Sequence, residues 1–283
     1  MNVKEWRENV SVRILESLSN GTAPWLTPWK SKDGLPINAT TEKPYKGVNA
    51  VCLLMETLIS GGDPRFLTFK QTLAKKWKVK KGAKGIPILK MVNLSKSPKP
   101  PVNEEEEEEE ENSRKGNLIP MVYHVFNACD VEGIPSAEDK DILPVDLSTV
   151  PDMLSRLGVK ISKGDTLMYK EDIDTIYVPG EIDSQEKLGA LLLAEISATG
   201  TKSRLGWHEK FQSKEMQELI LGFAGMFLSR ITGVPLPKEH FSPLKDNAQK
   251  VARSISGGSS FSLFQAISAA QHATDWVVMH SQI

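Results

Sequence analysis

The sequence predicts an α+β protein of two domains, with N-terminal helices packed on a small antiparallel sheet and then a mostly helical domain with a short sheet. Two observations predict it. The apolar period is helical up to about residue 75, alternates over 76–127, and is helical again over most of the second half. The 283 residues also suffice for two cores of ordinary size, with the charged stretch Ser136–Asp146 between the patterned halves.

Taken in order, Val3–Leu18 reads as an amphipathic helix with Trp6, Val10, Ile14 and Leu18 on one face, ended by Asn20-Gly21. Thr22–Tyr45 is turn-rich, with prolines at 24, 28, 36 and 44. Val48–Ser60 is a second helix, stopped by Gly61-Gly62, and Phe66–Lys76 a third. Lys76–Lys80 alternates lysine with Trp77 and Val79, the pattern of a half-buried strand with a basic outer face. Ile86–Val92 and Met121–Asn127 follow as strands. Between them, Ser95–Asn117 is rich in Pro, Lys, Ser and Glu, a composition that cannot repay the entropy of folding, and reads as a disordered loop. Domain boundaries are therefore expected at 1–135 and 147–283, with 136–146 as the linker. In the second half, Leu147–Leu157 is a helix and Thr175–Val178 a strand. Ser184–Ala198, Lys214–Thr232 and Ser259–Met279 are helices, the second with Leu219, Ile220, Phe223, Phe227 and Ile231 on one face.

Composition excludes several classes. No apolar stretch approaches membrane-spanning length, and the first twenty residues mix charge with apolar groups rather than forming a leader, so a cytoplasmic protein is expected. Two cysteines, Cys52 and Cys129, are too few for a disulfide framework and are expected as buried thiols.

The formal net charge of −1 conceals an asymmetry. Residues 1–100 hold 18 Lys and Arg against 7 Asp and Glu, and Glu104–Glu111 then adds eight negative charges in a row. Nine basic residues fall between Arg65 and Lys90 with no acid among them. A row of lysines suits a phosphate backbone, and Trp25, Trp29 and Tyr45, near Lys30, Lys32, Lys43 and Lys46, suit the faces of unpaired bases. The same residues also fit a solvated basic face over a core that uses the tryptophans, Trp77 above all.

Several motifs carry a resemblance. They are Gly21-Thr-Ala-Pro-Trp25, Pro28-Trp29, Pro36-x-Asn38, Lys43-Pro-Tyr45-x-Gly47-x-Asn49 and Thr68-Phe69-Lys70-Gln71. Val79-x-Lys81-Gly82-x-Lys84-Gly85 and Val125-Phe126-Asn127 followed by Gly133 continue the same order. Together they resemble ArdC-type antirestriction proteins and the related plasmid primase TraC, from Met1 to about Pro135. The resemblance implies single-stranded DNA as the partner. The basic pattern and the resemblance together point to Trp25, Trp29 and Tyr45 for stacking, to Lys43, Lys46, Lys70, Lys78, Lys80, Lys81 and Lys84 for phosphates, and to Asn38, Asn49 and Gln71, which lie in the matching motifs, as polar contacts.

The second half is similar to the family's zincin-like domain, less closely. There a strand leads to a helix bearing HExxH, whose histidines grip zinc from one helix face while the Glu activates water. The corresponding stretch is Ala194-Glu195-Ile196-Ser197-Ala198, with alanine at both histidine positions. Ser203-Arg204-Leu205 matches the family's S-R-L, Thr201 stands where a histidine is expected, and the carboxylate expected near Gly222 is absent. His124, His208, His240, His272 and His280 do not rebuild a site, so no metal, no cofactor and no catalysis are expected. The expectation is an antirestriction protein that binds single strands without strong sequence preference, fused to a pseudo-metalloprotease acting as scaffold or interaction surface. The rival is a protein-directed inhibitor of a host restriction or defence enzyme, with Glu104–Glu111 imitating DNA.

Overall fold

The computed structural model describes residues 1–21, 34–60, 63–93, 118–137, 144–237 and 260–283. Trp25, Trp29, the loop 95–117 with its acidic run, and 138–143 of the expected linker lie outside the described residues. The chain divides into two compact units. The first comprises Met1–Val10, Pro36–Tyr45 and Asn49–Ala137, and the second Ser11–Leu35, Lys46–Val48 and Glu138–Ile283. The fold is α+β, with several helices and small sheets.

Helix α1 spans Val3–Ser19. Trp6, Val10, Ile14 and Leu18, the expected stripe, are all buried. Gly21 follows with a positive φ of 65°, the left-handed geometry that suits glycine after a helix. Strand β1 is Ile37–Asn38, α2 is Gly47–Ser60, β2 is Arg65–Thr68 and α3 is Phe69–Ala74. Strand β3 is Lys78–Val79, β4 is Ile86–Asn93, β5 is Leu118–Asn127 and β6 is Val131–Glu132. The main sheet has the order β1-β2-β5-β4. Its β2–β5 and β4–β5 pairs are antiparallel, and β1 joins parallel to β2. Leu53, Phe66, Ile88 and Val125 form its core, with Tyr45 and Ile86 packed against them.

Two expectations are corrected here. Phe66–Thr68 is strand rather than helix: Phe66 and Leu67 are both fully buried because β2 lies between β1 and β5 and packs on both faces. The five-residue lysine strand shrinks to Lys78–Val79, which pairs with β6 in a separate two-stranded sheet. Lys76 takes a φ of 59°, which ends the segment that began with α3 instead of extending a strand.

In the second unit, Leu147–Thr149 is a 3₁₀ turn leading into α4, Val150–Arg156. Strands β7 (Lys160–Lys163), β8 (Met168–Lys170) and β9 (Thr175–Val178) form a sheet of order β7-β9-β8, parallel between β7 and β9. Among the described residues, helices α5 (Gln185–Ala198), α6 (Trp207–Lys210), α7 (Lys214–Thr232) and α8 (Ser260–Ser281) follow. Ser184 and Ser213 cap α5 and α7 through their hydroxyls, which is why both helices start where they do. The buried stripe of α8 is Leu263, Ala266, Ile267, Ala270, Ala273, Thr274 and Val277, whereas Phe264 and Trp276 are half-buried. Ile231, expected on the inner face of α7, is exposed. At Gly189 a β-carbon would stand 2.1 Å from the Pro235 carbonyl oxygen, so only glycine lets that segment cross α5. No helix among the described residues is long and apolar enough to cross a membrane.

Candidate nucleic-acid interface

Three polar residues far apart in sequence meet in the first unit. After β1 the chain turns over Asn38–Lys43, with Asn38 N–H donating to the Lys43 carbonyl at 2.9 Å. The Asn38 side chain holds the turn: its Oδ1 accepts from Thr40 N–H (2.9 Å), Thr41 N–H (3.1 Å) and the Thr40 hydroxyl (2.7 Å). Its Nδ2 reaches Gln71 Oε1 at 3.3 Å and Tyr45 Oη at 3.4 Å. Gln71 Nε2 donates to Thr40 Oγ1 at 2.8 Å, and its Oε1 accepts from Thr68 N–H at 2.7 Å. With the Thr68 hydroxyl accepting from Gln71 N–H, this is the reciprocal capping box that starts α3. Asn38, Tyr45 and Gln71 thus lock the 38–45 turn to the first turn of α3. Gln71 is 6% exposed and spent on this lock, so it positions the surface instead of offering itself as a contact.

Asn49 has a different role from the one expected. Its Nδ2 donates to the Leu89 carbonyl at 2.7 Å and its Oδ1 accepts from Leu89 N–H at 2.9 Å. Strand β4 is an edge of the main sheet, and the amide satisfies one peptide of that edge as a neighbouring strand would. The Trp6 indole N–H covers the next outward carbonyl, that of Pro87, at 2.9 Å.

Lys43, Lys70, Lys78, Lys81 and Lys84 are exposed. Lys80 is exposed too, but its ammonium donates to the Cys129 carbonyl at 2.7 Å. Lys46 falls with the second unit and ion-pairs there with Asp275 at 3.1 Å. Cys129, expected to be buried, is exposed, while Cys52 is buried as expected. Trp77 is half-buried, its ring lying 3.2 Å from where a Gly133 β-carbon would stand. Two exposed apolar residues that the sequence reading passed over, Phe69 and Leu73, stand on α3 beside Lys70.

In the second unit, Ala194 and Ala198 are buried and offer a metal no donor. Glu195 is fully buried, with Oε2 accepting from the Ser281 hydroxyl at 3.2 Å and no partner at Oε1 among the described residues. Burial pushes its pKa up to about 8, against a smaller lowering by Ser281. The Thr201 hydroxyl is held by the Ala198 carbonyl at 3.1 Å and by Arg204 at 2.9 Å. Arg204 Nη1 also binds Asp174 Oδ1 at 2.8 Å, and its Nη2 donates to Asp174 Oδ2 and the Gly158 carbonyl. This fork pins the turn before β9 to the end of α5 and lowers the Asp174 pKa. Tyr169, partly buried and bonded to Asp174, is pushed up to about 12. His208 lies 3.0 Å from Glu171 but out of hydrogen-bonding alignment. Among the described residues no group of three or more His, Cys, Asp or Glu is placed to hold a metal. The residues at these positions do not fit a metal.

Fold and surface define a two-unit α+β protein with exposed lysines from an acid-free stretch, 65–93, on its first unit. Over residues 4–126 it is ArdC-like, matching the family described as the N-terminal domain of anti-restriction factor ArdC. The chain is 31% identical over 245 residues to a DNA primase TraC of Escherichia coli, covering 77% of this chain and 23% of that protein. A second Escherichia coli TraC is 30% identical over 217 residues, 71% of this chain and 15% of that one. The chain therefore spans less than a quarter of these relatives' length. Crystal structures of the antirestriction protein ArdC from plasmid R388 share the fold at 22% identity. The metal-free form has a TM-score of 0.74 over 98% of this chain and 97% of that one. The Mn(II)-bound form scores 0.75 over 97% of each.

Proposed function

We infer that the first domain, residues 1–135, binds single-stranded DNA with little sequence preference, and that the chain acts as an antirestriction protein of phage or plasmid type. The observation that carries this reading is a set of exposed lysines from a stretch that contains no acid: Lys70, Lys78, Lys81 and Lys84 are exposed, no Asp or Glu occurs between Arg65 and Asn93 in the sequence, and Glu132 stands opposite Lys78 across β3 and β6. Such lysines bind phosphates by releasing condensed counterions, which is independent of sequence. Trp25, Trp29 and Tyr45 supply faces for unpaired bases. The primase relatives and the ArdC family match support a DNA partner. Replacing Lys78 and Lys81 by Gln tests it. Two lost phosphate contacts lower the salt slope of binding by about 1.4, measured by fluorescence anisotropy; an unchanged slope removes these lysines from the site.

The second domain, residues 147–283 beyond a linker at 136–146, is a zincin-like pseudo-metalloprotease that serves as scaffold or interaction surface. The donor-free Ala194 and Ala198 and the sealed Glu195 support this. A host restriction or defence protein is the partner such a surface would take, in the host cytoplasm. The eight glutamates of Glu104–Glu111 favour a second reading, in which they imitate the phosphates of DNA before a host enzyme. Deleting 104–111 separates the two: lost inhibition of that enzyme with unchanged DNA binding establishes mimicry, and no loss of inhibition removes it.

A further inference from the structure

Among the described residues, one face of α3 is left uncovered. At about 100° per residue, its six residues place Gln71 and Thr72 on one side, and Phe69, Leu73, Lys70 and Ala74 on a continuous arc of the other. The first side is buried and the second is exposed throughout. Phe69 is 53% exposed and Leu73 is 59% exposed. One helical turn apart, the two side chains adjoin and form an apolar patch. Its surroundings are rich in cations: Lys70 shares the face and Lys75 and Lys76 follow it, all exposed, while Lys78, which opens β3, has Glu132 opposite it on β6. An ordinary protein partner would cover the ring only by desolvating these ammonium groups. A polyanion carrying flat apolar faces is complementary to both features at once. Single-stranded nucleic acid has that chemistry, whereas a duplex keeps its base faces inside the stack. The helix is also held rigid beneath the patch by the Thr68–Gln71 capping box and the Asn38–Gln71 link, so little ordering is required on binding.

We propose that Phe69 and Leu73 form a base-stacking platform on α3, a site for an unpaired nucleobase, with Lys70, Lys75 and Lys76 neutralising the adjoining phosphates. The proposal rests on the nucleic-acid reading of the first unit and assigns a base site to it.

The test uses the full chain with labelled oligothymidylate and oligouridylate, titrated at several salt concentrations. Phe69→Ala is expected to weaken binding roughly tenfold or more. The loss is the same at every salt concentration because no charge is removed, and it falls on both polymers because a ring face does not read the 2′-hydroxyl. Phe69→Tyr retains the affinity. Lys70→Gln instead lowers the salt slope by about 0.7. Because the ring lies outside the core, the melting midpoint of Phe69→Ala stays at the wild-type value. Wild-type binding by a folded Phe69→Ala overturns the platform and leaves the single-strand reading standing. A change of salt slope in Phe69→Ala also overturns it, since the ring would then act by placing lysines. A wild-type chain that binds neither polymer overturns both.

Discussion

Glu195 shows how a single side chain reports on its surroundings. Its carboxyl is fully buried, and its second oxygen has no partner among the described residues. The cheapest state is the protonated one, and burial raises the pKa from 4.5 to about 8. The folded form then holds a proton that the unfolded chain has released. Stability is complete below the unfolded value of 4.5 and declines as pH rises toward about 8. Glu195→Gln keeps the shape and the donor chemistry without the charge. We expect it to flatten the pH dependence of the unfolding midpoint across that window and to stabilise the second unit at pH 8 by an amount on the order of 4 kcal/mol at most. Ser281→Ala removes the bond that favours the ionised form, so it raises the folded-state pKa further and extends the decline to higher pH. None of this was legible in the sequence. The Ala-Glu-x-x-Ala pattern announced a motif without its ligands, but the partner of its carboxyl stands 86 residues away.

At the scale of elements, α3 and β4 show what local pattern reveals and what it hides. The capping box Thr68-x-x-Gln71 is visible in the sequence, yet Phe66 and Leu67 also fit a helical stripe, which sets the expected helix start at Phe66. Only the neighbours β1 and β5 make Phe66–Thr68 a strand. Asn38, Tyr45 and Gln71 were selected as site residues from their motifs, and the fold does bring them together. Asn49 was selected on the same ground, but its amide is a clamp on Leu89, a partner no spacing rule could supply. Asn49→Ala leaves an edge N–H and C=O unpaired, which costs about 1–3 kcal/mol. Its melting temperature is expected to fall while single-strand affinity, measured well below that temperature, stays at the wild-type value. Gln71→Ala removes the side-chain half of the capping box and the link to the 38–45 turn, leaving the Thr68 hydroxyl bond to the residue-71 N–H. It is expected to cost a similar amount, roughly 1–3 kcal/mol, and also to weaken binding, because α3 and the turn that bears Lys43 lose their common anchor.

For the whole molecule, charge is the most legible property. A chain with a net charge of −1 holds an acid-free stretch of nine basic residues and, beyond it, eight consecutive glutamates. Counting by segment exposed an asymmetry that the average conceals, and the α+β class with its long helices could be read from apolar period alone. What could not be read was how the lysines are used. Lys78 and Lys81 stay exposed, Lys80 turns to the Cys129 carbonyl and Lys46 to Asp275, because these partners come from distant segments. Strong salt dependence with indifference to base order is the behaviour that such a surface dictates. The most direct test of the central claim is to titrate the full chain into a labelled single-stranded oligonucleotide by fluorescence anisotropy at several salt concentrations, with unlabelled duplex as competitor. The account predicts tight binding that falls steeply with salt and is displaced poorly by duplex. Weak binding to both forms with a shallow salt slope would contradict it.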